Sequence, residues 1–185
     1  MISAICGNLA HILEDRIILE LNGLFYEILV SPVTLNELYP KLNQEITLRT
    51  IFYIQGTVGM GNMIPMLIGF ITDMEKEFFE HFITVGGIGP RGALRALIMP
   101  IERIACAIEN KDISILTTLP GIGKQRANKI IAELKGKMDK FAIKVSEEKD
   151  IQDLKDRHGD SDIKEEAIDV LMQLGYSRQE SEDMV

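Results

Sequence analysis

The chain has 185 residues, of which 46% are hydrophobic, so one large domain or a few small ones with real cores can form. It has no Trp and two cysteines, Cys6 and Cys106, too few for a disulfide framework; reduced core thiols are the expectation. No N-terminal stretch joins a basic start, an apolar run and a cleavage site, and the most apolar region, Val58 to Ile71, is broken by Gly, Asn and Pro and is too short to cross a bilayer. A soluble cytoplasmic protein without a membrane role is expected.

Residues 1–70 read as short strands. Arg16–Leu21, Phe25–Val30 and Glu45–Ile54 are apolar or β-branched runs with partial alternation, and Pro65–Phe70 is a further one. Asn22-Gly23 joins the first two and is the strongest hairpin signal in the chain. Several short strands in so few residues predict a small closed barrel such as an OB-fold, over 1–71.

The period changes at Thr72. Phe78, Phe79, Phe82 and Ile83 fall at helical spacing within Asp73–Thr84, with Thr72 or Asp73 as N-cap. Helices separated by Gly/Pro turns continue to about residue 142, including Ile101–Glu109 with Pro100 in its first turn. Residues 143–162 are charged, poor in large apolar side chains and read as an acidic flexible linker. A last amphipathic helix, Ile163–Leu174, places Ala167, Ile168, Leu171 and Leu174 on one face, with Gly175 as cap. Residues 163–185 thus form a short helical domain, and the fold class is multidomain α+β.

The net charge of −8 argues against a polyanion ligand, but its distribution does not. Residues 1–70 carry 3 Lys/Arg and 6 Asp/Glu, residues 71–142 carry 11 and 9, and residues 143–185 carry 6 and 13. Only the middle segment is positive, and its cations gather around one pattern that occurs twice. Val85-Gly86-Gly87-Ile88-Gly89-Pro90-Arg91 leads into Ala93, Leu94 and Leu97. Leu119-Pro120-Gly121-Ile122-Gly123-Lys124-Gln125-Arg126 leads into Ala127, Ile130 and Ile131. The glycines of the two copies lie 34 residues apart.

A helix, a Gly-Ile-Gly turn and a second helix suit phosphate. Glycine permits positive φ and close backbone approach, and the turn delivers free N–H groups at a helix start, where the dipole favours an anion. The isoleucine is expected to pin the turn to the core. Ordinary helix corners, with glycines that serve packing alone, are the competing reading; two copies, each followed closely by a cation, weigh against it. Contacts of this kind hold the DNA backbone without reading sequence.

These residues carry a family resemblance. LPGIGK followed by Ala127 and Glu133-Leu134-Lys135, with GGIGP upstream, resembles the tandem helix-hairpin-helix domain of the RuvA family. The NGLFYE hairpin and the LIGF strand are similar to that family's OB-fold, and Lys164–Val185, with LMQLGYSRQES, resembles the start of its small C-terminal domain. The resemblance implies a homotetramer that holds the four arms of a Holliday junction. It implies as partners a RuvB-like hexameric ATPase, engaged through Leu171, Leu174 and Tyr176, and a RuvC-like resolvase. By position, Gly87, Gly89, Gly121 and Gly123 would bring amides to phosphates, with Arg91, Lys124, Arg126 and Lys129 as cations; no cofactor, metal or catalytic residue is implied. Three differences from the family stand out. The loop from Gln55 to Ile64 has no Asp or Glu where the family carries an acidic pin, Gln125 stands where Lys is common, and the family's C-terminal domain is expected to continue for at least one more helix after Val185.

No catalytic constellation accompanies these motifs. His11, His81 and His158 are isolated, His81 as a boundary residue, and Gly123-Lys124 lacks the first Gly and the Ser/Thr of a Walker loop. Two other functions compete. A helix-hairpin-helix DNA glycosylase would want a catalytic Lys where Gln125 stands, or an Asp near Ile143, to which Asp139 is the nearest. A general single-strand-binding OB protein would want exposed aromatics on the barrel. Phe52 and Tyr53 are available for that, whereas Phe25 and Tyr26 are expected in the core and hairpin.

Overall fold

The computed structural model describes residues 2–55 and 63–142. The first strand, β1 (Ala4–Ile12), turns Ile5, Gly7 and Leu9 inward and Ala4, Cys6 and His11 outward. That alternation includes a glycine and few β-branched residues, so its strand signal in the sequence is weak. Gly7 is required by packing: a Cβ there would lie 2.5 Å from the Glu20 carbonyl oxygen of the next strand. The same alternation overturns the expectation for one thiol. Cys6 is exposed and donates to Glu45 Oε1 at 3.5 Å, while Cys106 is half-buried.

β2 (Arg16–Leu21) and β3 (Leu24–Leu29) form the expected hairpin. Asn22 and Gly23 take φ values of 52° and 80°, the two left-handed conformations that a tight two-residue turn matching strand twist requires. Tyr26 packs against the barrel core, and Phe25 lies in the hairpin opposite Glu20 as expected, but it is 64% exposed and takes no part in the core.

A short helix not foreseen from sequence, α1 (Pro32–Leu38), follows; Ser31 caps it by accepting from Thr34 N. β4 (Glu45–Gln55) and β5 (Ile64–Phe70) complete the barrel in the order β1-β2-β3-β5-β4. Closure comes from antiparallel β1–β4 pairing and a short parallel contact of β3 with β5, Leu29 opposite Ile68. Closing the sheet removes its open edges. This is the predicted OB-type barrel.

The helices are seated on β5. Thr72 caps α2 (Asp73–Phe82) in a reciprocal capping box with Glu75, whose carboxylate also accepts from Ile71 N. Phe78, Phe79 and Phe82 are fully buried, and Phe79 meets Phe70 of β5 at 5.0 Å between ring centroids. One core therefore runs from Leu29, Met66, Ile68 and Phe70 into the helices, and a second fills the far side of the barrel. α3 (Pro90–Ala96), α4 (Ile101–Glu109), α5 (Ile113–Thr118) and α6 (Lys124–Leu134) follow. Pro100 is the N-cap of α4, one residue outside the first turn expected for it, because its ψ of 141° is extended. After α6, Glu109 accepts from Gly136 N and Met138 N. Met138 and Phe141 are buried, and Phe141 meets Phe78 edge-on at 5.5 Å.

The loop over 56–62, the linker at 143–162, the helix expected from Ile163, and Leu171, Leu174 and Tyr176 lie outside the described residues.

Candidate nucleic-acid interface

The two Gly-Ile-Gly segments fold alike. α2 and α3 flank the first; α5 and α6 flank the second. In the first, Ile88 N donates to Val85 O at 3.1 Å and Ala93 N to Gly89 O at 2.8 Å. In the second, Ile122 N donates to Leu119 O at 3.0 Å and Ala127 N to Gly123 O at 2.9 Å. Ile88 and Ile122 are buried, which pins both turns as expected.

The glycines of each turn do different work. Gly87 and Gly121 have φ values of 92° and 78°, the left-handed region that disfavours a side chain. Gly89 and Gly123 have φ near −85°, which any residue can adopt, and a Cβ on either would meet no atom of the described residues within 4 Å. Neither backbone strain nor internal packing explains glycine at these two positions. Both are the N-caps of their helices, and neither helix has a side-chain cap. At α6 the first intrahelical bond comes from Ala127 N, so the amides of Lys124, Gln125 and Arg126 precede it and face the open end.

The turns converge. Gly87, Ile88, Gly89 and Gly92 from one side and Pro120, Gly121 and Ile122 from the other line a shared cavity of about 190 Å³, with Arg95 and Arg126 at its walls. Arg126 Nη1 donates to the Gly121 carbonyl at 2.6 Å, which braces the second turn and holds the guanidinium over it. Arg95 was missed by the sequence reading; it lies one helical turn after Arg91, and its Nε donates weakly to Arg91 O at 3.4 Å. That spacing on α3 was the available signal. Arg91 and Lys124 are exposed at the starts of their helices.

The expected residues are not all grouped alike. Gly87, Gly89, Gly121 and Arg126 share the cavity, whereas Lys129, one face along α6, lies against Gly86 of the other hairpin and 3.8 Å from Glu133. The field of Arg91 extends to the turn between β1 and β2. Asp15 there is held below its usual carboxylate pKa mainly by its hydrogen bond to Arg16, against the opposing effect of burial, and further by the charges of Arg16 and Arg91. His81 is half-buried with its ring 6.1 Å from that of Phe141, a boundary residue as expected.

Comparison with known proteins matches two segments of the chain. Residues 1–58 match the family model described as the RuvA N terminal domain, and residues 79–137 match the SAM-like helix-hairpin-helix tandem. The chain is 35% identical over its whole length to a protein of Rhodopirellula baltica named Holliday junction branch migration complex subunit RuvA, covering 88% of that relative. A relative of the same name from Caldanaerobacter subterraneus is 36% identical over 98% of this chain and 87% of its own length. A third, from Desulfatibacillum aliphaticivorans, is 42% identical over 77% of this chain and 68% of its own length.

Proposed function

The chain belongs to the RuvA family, and from that premise we propose that it binds four-way DNA junctions through the paired hairpins and serves as the DNA-holding subunit of a branch migration complex. The observation that carries this reading is the pair Gly89 and Gly123, two helix-capping glycines with ordinary backbone angles and open space where a side chain would stand. Such a position favours glycine when an external backbone comes close. The free amides behind it, together with Arg91, Arg95, Lys124 and Arg126, suit phosphate oxygens rather than base edges.

One subunit offers two such turns side by side. Preference for a junction over plain duplex then comes from repeating them about a symmetry axis, so that several arms are held together. A homotetramer supplies that symmetry. The motor is a partner in this reading: a RuvB-like hexameric ATPase engages Leu171, Leu174 and Tyr176, and a RuvC-like resolvase is a further partner at the junction.

The test is a native gel that compares a four-way junction with a linear duplex of the same sequence. Preferential retardation of the junction, with affinity falling steeply as salt rises through counterion release, is the expected result. Equal affinity for both DNAs at moderate salt overturns the proposal.

A further inference from the structure

Glu109 stands where its own helix gives it no reason to be. It is the last residue of α4, and the negative end of a helix dipole disfavours an acid there. Its partners lie 27 and 29 residues further along the chain. It accepts from Gly136 N at 2.8 and 2.9 Å, through one oxygen and then the other, and from Met138 N at 2.9 Å. Those amides belong to the turn that ends α6, where Gly136 takes a φ of 79°. Lys137 N closes the turn on Leu134 O at 2.9 Å, whereas the amides on either side of it turn away to α4. One side chain of α4 therefore holds the end of α6.

From that turn the chain crosses to α2. Met138 and Phe141 are buried, Phe141 meets Phe78 edge-on at 5.5 Å, and Lys140 pairs with Glu77. Phe78 in turn stacks on Phe82, the last residue of α2. Residues 136–141 thus form a strap that joins α6, α4 and α2. α2 leads into the first Gly-Ile-Gly turn, and α6 leads out of the second. The strap takes hold of α6 at its far end, about 15 Å from the turn at a rise of about 1.5 Å per residue. A helix is stiff over that length, so where its far end is held decides where its free amides stand.

We propose that Glu109 is a positioning residue of the DNA interface: by fixing the strap Gly136–Phe141 it sets the distance between the two phosphate-binding turns. Two turns hold one DNA more tightly than either alone only when their spacing matches the ligand. Glu109 itself contacts no phosphate. The inference rests on the reading of the hairpins as the DNA interface.

Charge and geometry predict opposite signs for its removal. Loss of an acid from a DNA-binding domain strengthens binding by simple electrostatics, whereas loss of the strap's anchor weakens it. The two are separated by titrating a labelled four-way junction with the full chain, below the melting temperature of every variant. Glu109→Ala is expected to weaken junction binding by about 5- to 10-fold. Glu109→Gln removes the same charge but leaves an oxygen to accept from Gly136 N and Met138 N, and should stay within about 2-fold of the parent. Phe141→Leu loosens the other end of the strap and should weaken binding by about 2- to 5-fold; it carries the test if Glu109→Ala does not fold. In a Gly89→Val or a Gly123→Val background one turn is already blocked, so spacing has nothing to act on. Glu109→Ala or Phe141→Leu should there add less than about a 2-fold loss.

A folded Glu109→Ala that binds the junction as well as the parent, or better, makes Glu109 a residue of stability alone and overturns the proposal. A loss that Glu109→Gln shares in full ties the effect to the charge and overturns it too, as does additivity with both glycine variants. If the parent fails to prefer the junction, the reading of the interface falls and this inference with it. If the parent prefers it and any of those three results is found, the inference alone falls.

Discussion

The two hairpins share a motif and a turn geometry, but they are not equivalent. The second is self-sufficient: α6 has 11 residues, starts with a lysine, and has an arginine bonded back to the turn it follows. The first has a helix of 7 residues that starts with proline, which has no N–H, and its cations Arg91 and Arg95 make no comparable bond back to the turn. The difference teaches that a repeated motif can keep its turn geometry while its two copies differ in the amides and cations they present.

That asymmetry can be broken by substitution. The largest effect on binding is expected from Gly123→Val, which places bulk before the free amides of α6. Junction affinity should fall on the order of 100-fold, the worth of one or two charge-assisted hydrogen bonds at about 1.5–3 kcal/mol each. Gly89→Val, where Pro90 has already removed one amide, should cost on the order of 10-fold. Equal losses, measured by titration of a labelled junction, would mean that the hairpins contribute alike. Both variants should still fold, with a melting temperature lowered only by the preference for Gly over Val at a helix N-cap, because neither position is strained or packed.

Gly87→Val and Gly121→Val separate the turn from the ligand. Both sit at positive φ, so each should destabilise the fold by about 1–3 kcal/mol, seen as a lower melting temperature. A parent-like melting temperature for Gly121→Val would show that the turn adapts without cost. Next in size is Arg126→Ala, which frees the Gly121 carbonyl and removes one cation; about a 10-fold loss of junction affinity is expected, with Arg126→Lys recovering the charge but not the brace. Arg95→Ala should cost less, since Arg95 holds no comparable bond to the turns.

The smallest effect concerns the joint between barrel and helices. Burial raises the pKa of Glu75 above its ordinary 4.5, against the opposing hydrogen bonds from Thr72 N and Ile71 N. The folded state therefore keeps this proton at a pH where the unfolded state releases it. The stabilisation from this group is complete below 4.5 and is lost as pH rises through the raised folded value. Glu75→Gln should flatten that part of the stability–pH curve while keeping an acceptor for the cap. An unaltered curve would place the pH dependence on other groups.

How much of this was legible in the sequence depended on how local the cause was. The Asn22-Gly23 turn, the capping residue Thr72 and the twin Gly-Ile-Gly turns are written in adjacent residues, and each was found where it was expected. β1 was not legible, because Gly7 serves the close approach of Glu20 from another strand. The side on which Cys6 and Phe25 fall depends on strand register, which a run of apolar letters does not fix. The site divides in the same way. Its glycines and the cations adjoining them could be read from the chain, but the position of Lys129 over Gly86 arises from two segments meeting in space. No spacing in the sequence announces it.

The most direct test of the central claim, that open capping glycines admit a phosphate backbone, is a titration of a four-way junction and its matched duplex with the parent and with Gly89→Val/Gly123→Val at one salt concentration. The account predicts a folded double variant, a loss of junction affinity larger than either single substitution gives, and no remaining preference for junction over duplex. A double variant that is folded and binds the junction as the parent does would contradict it.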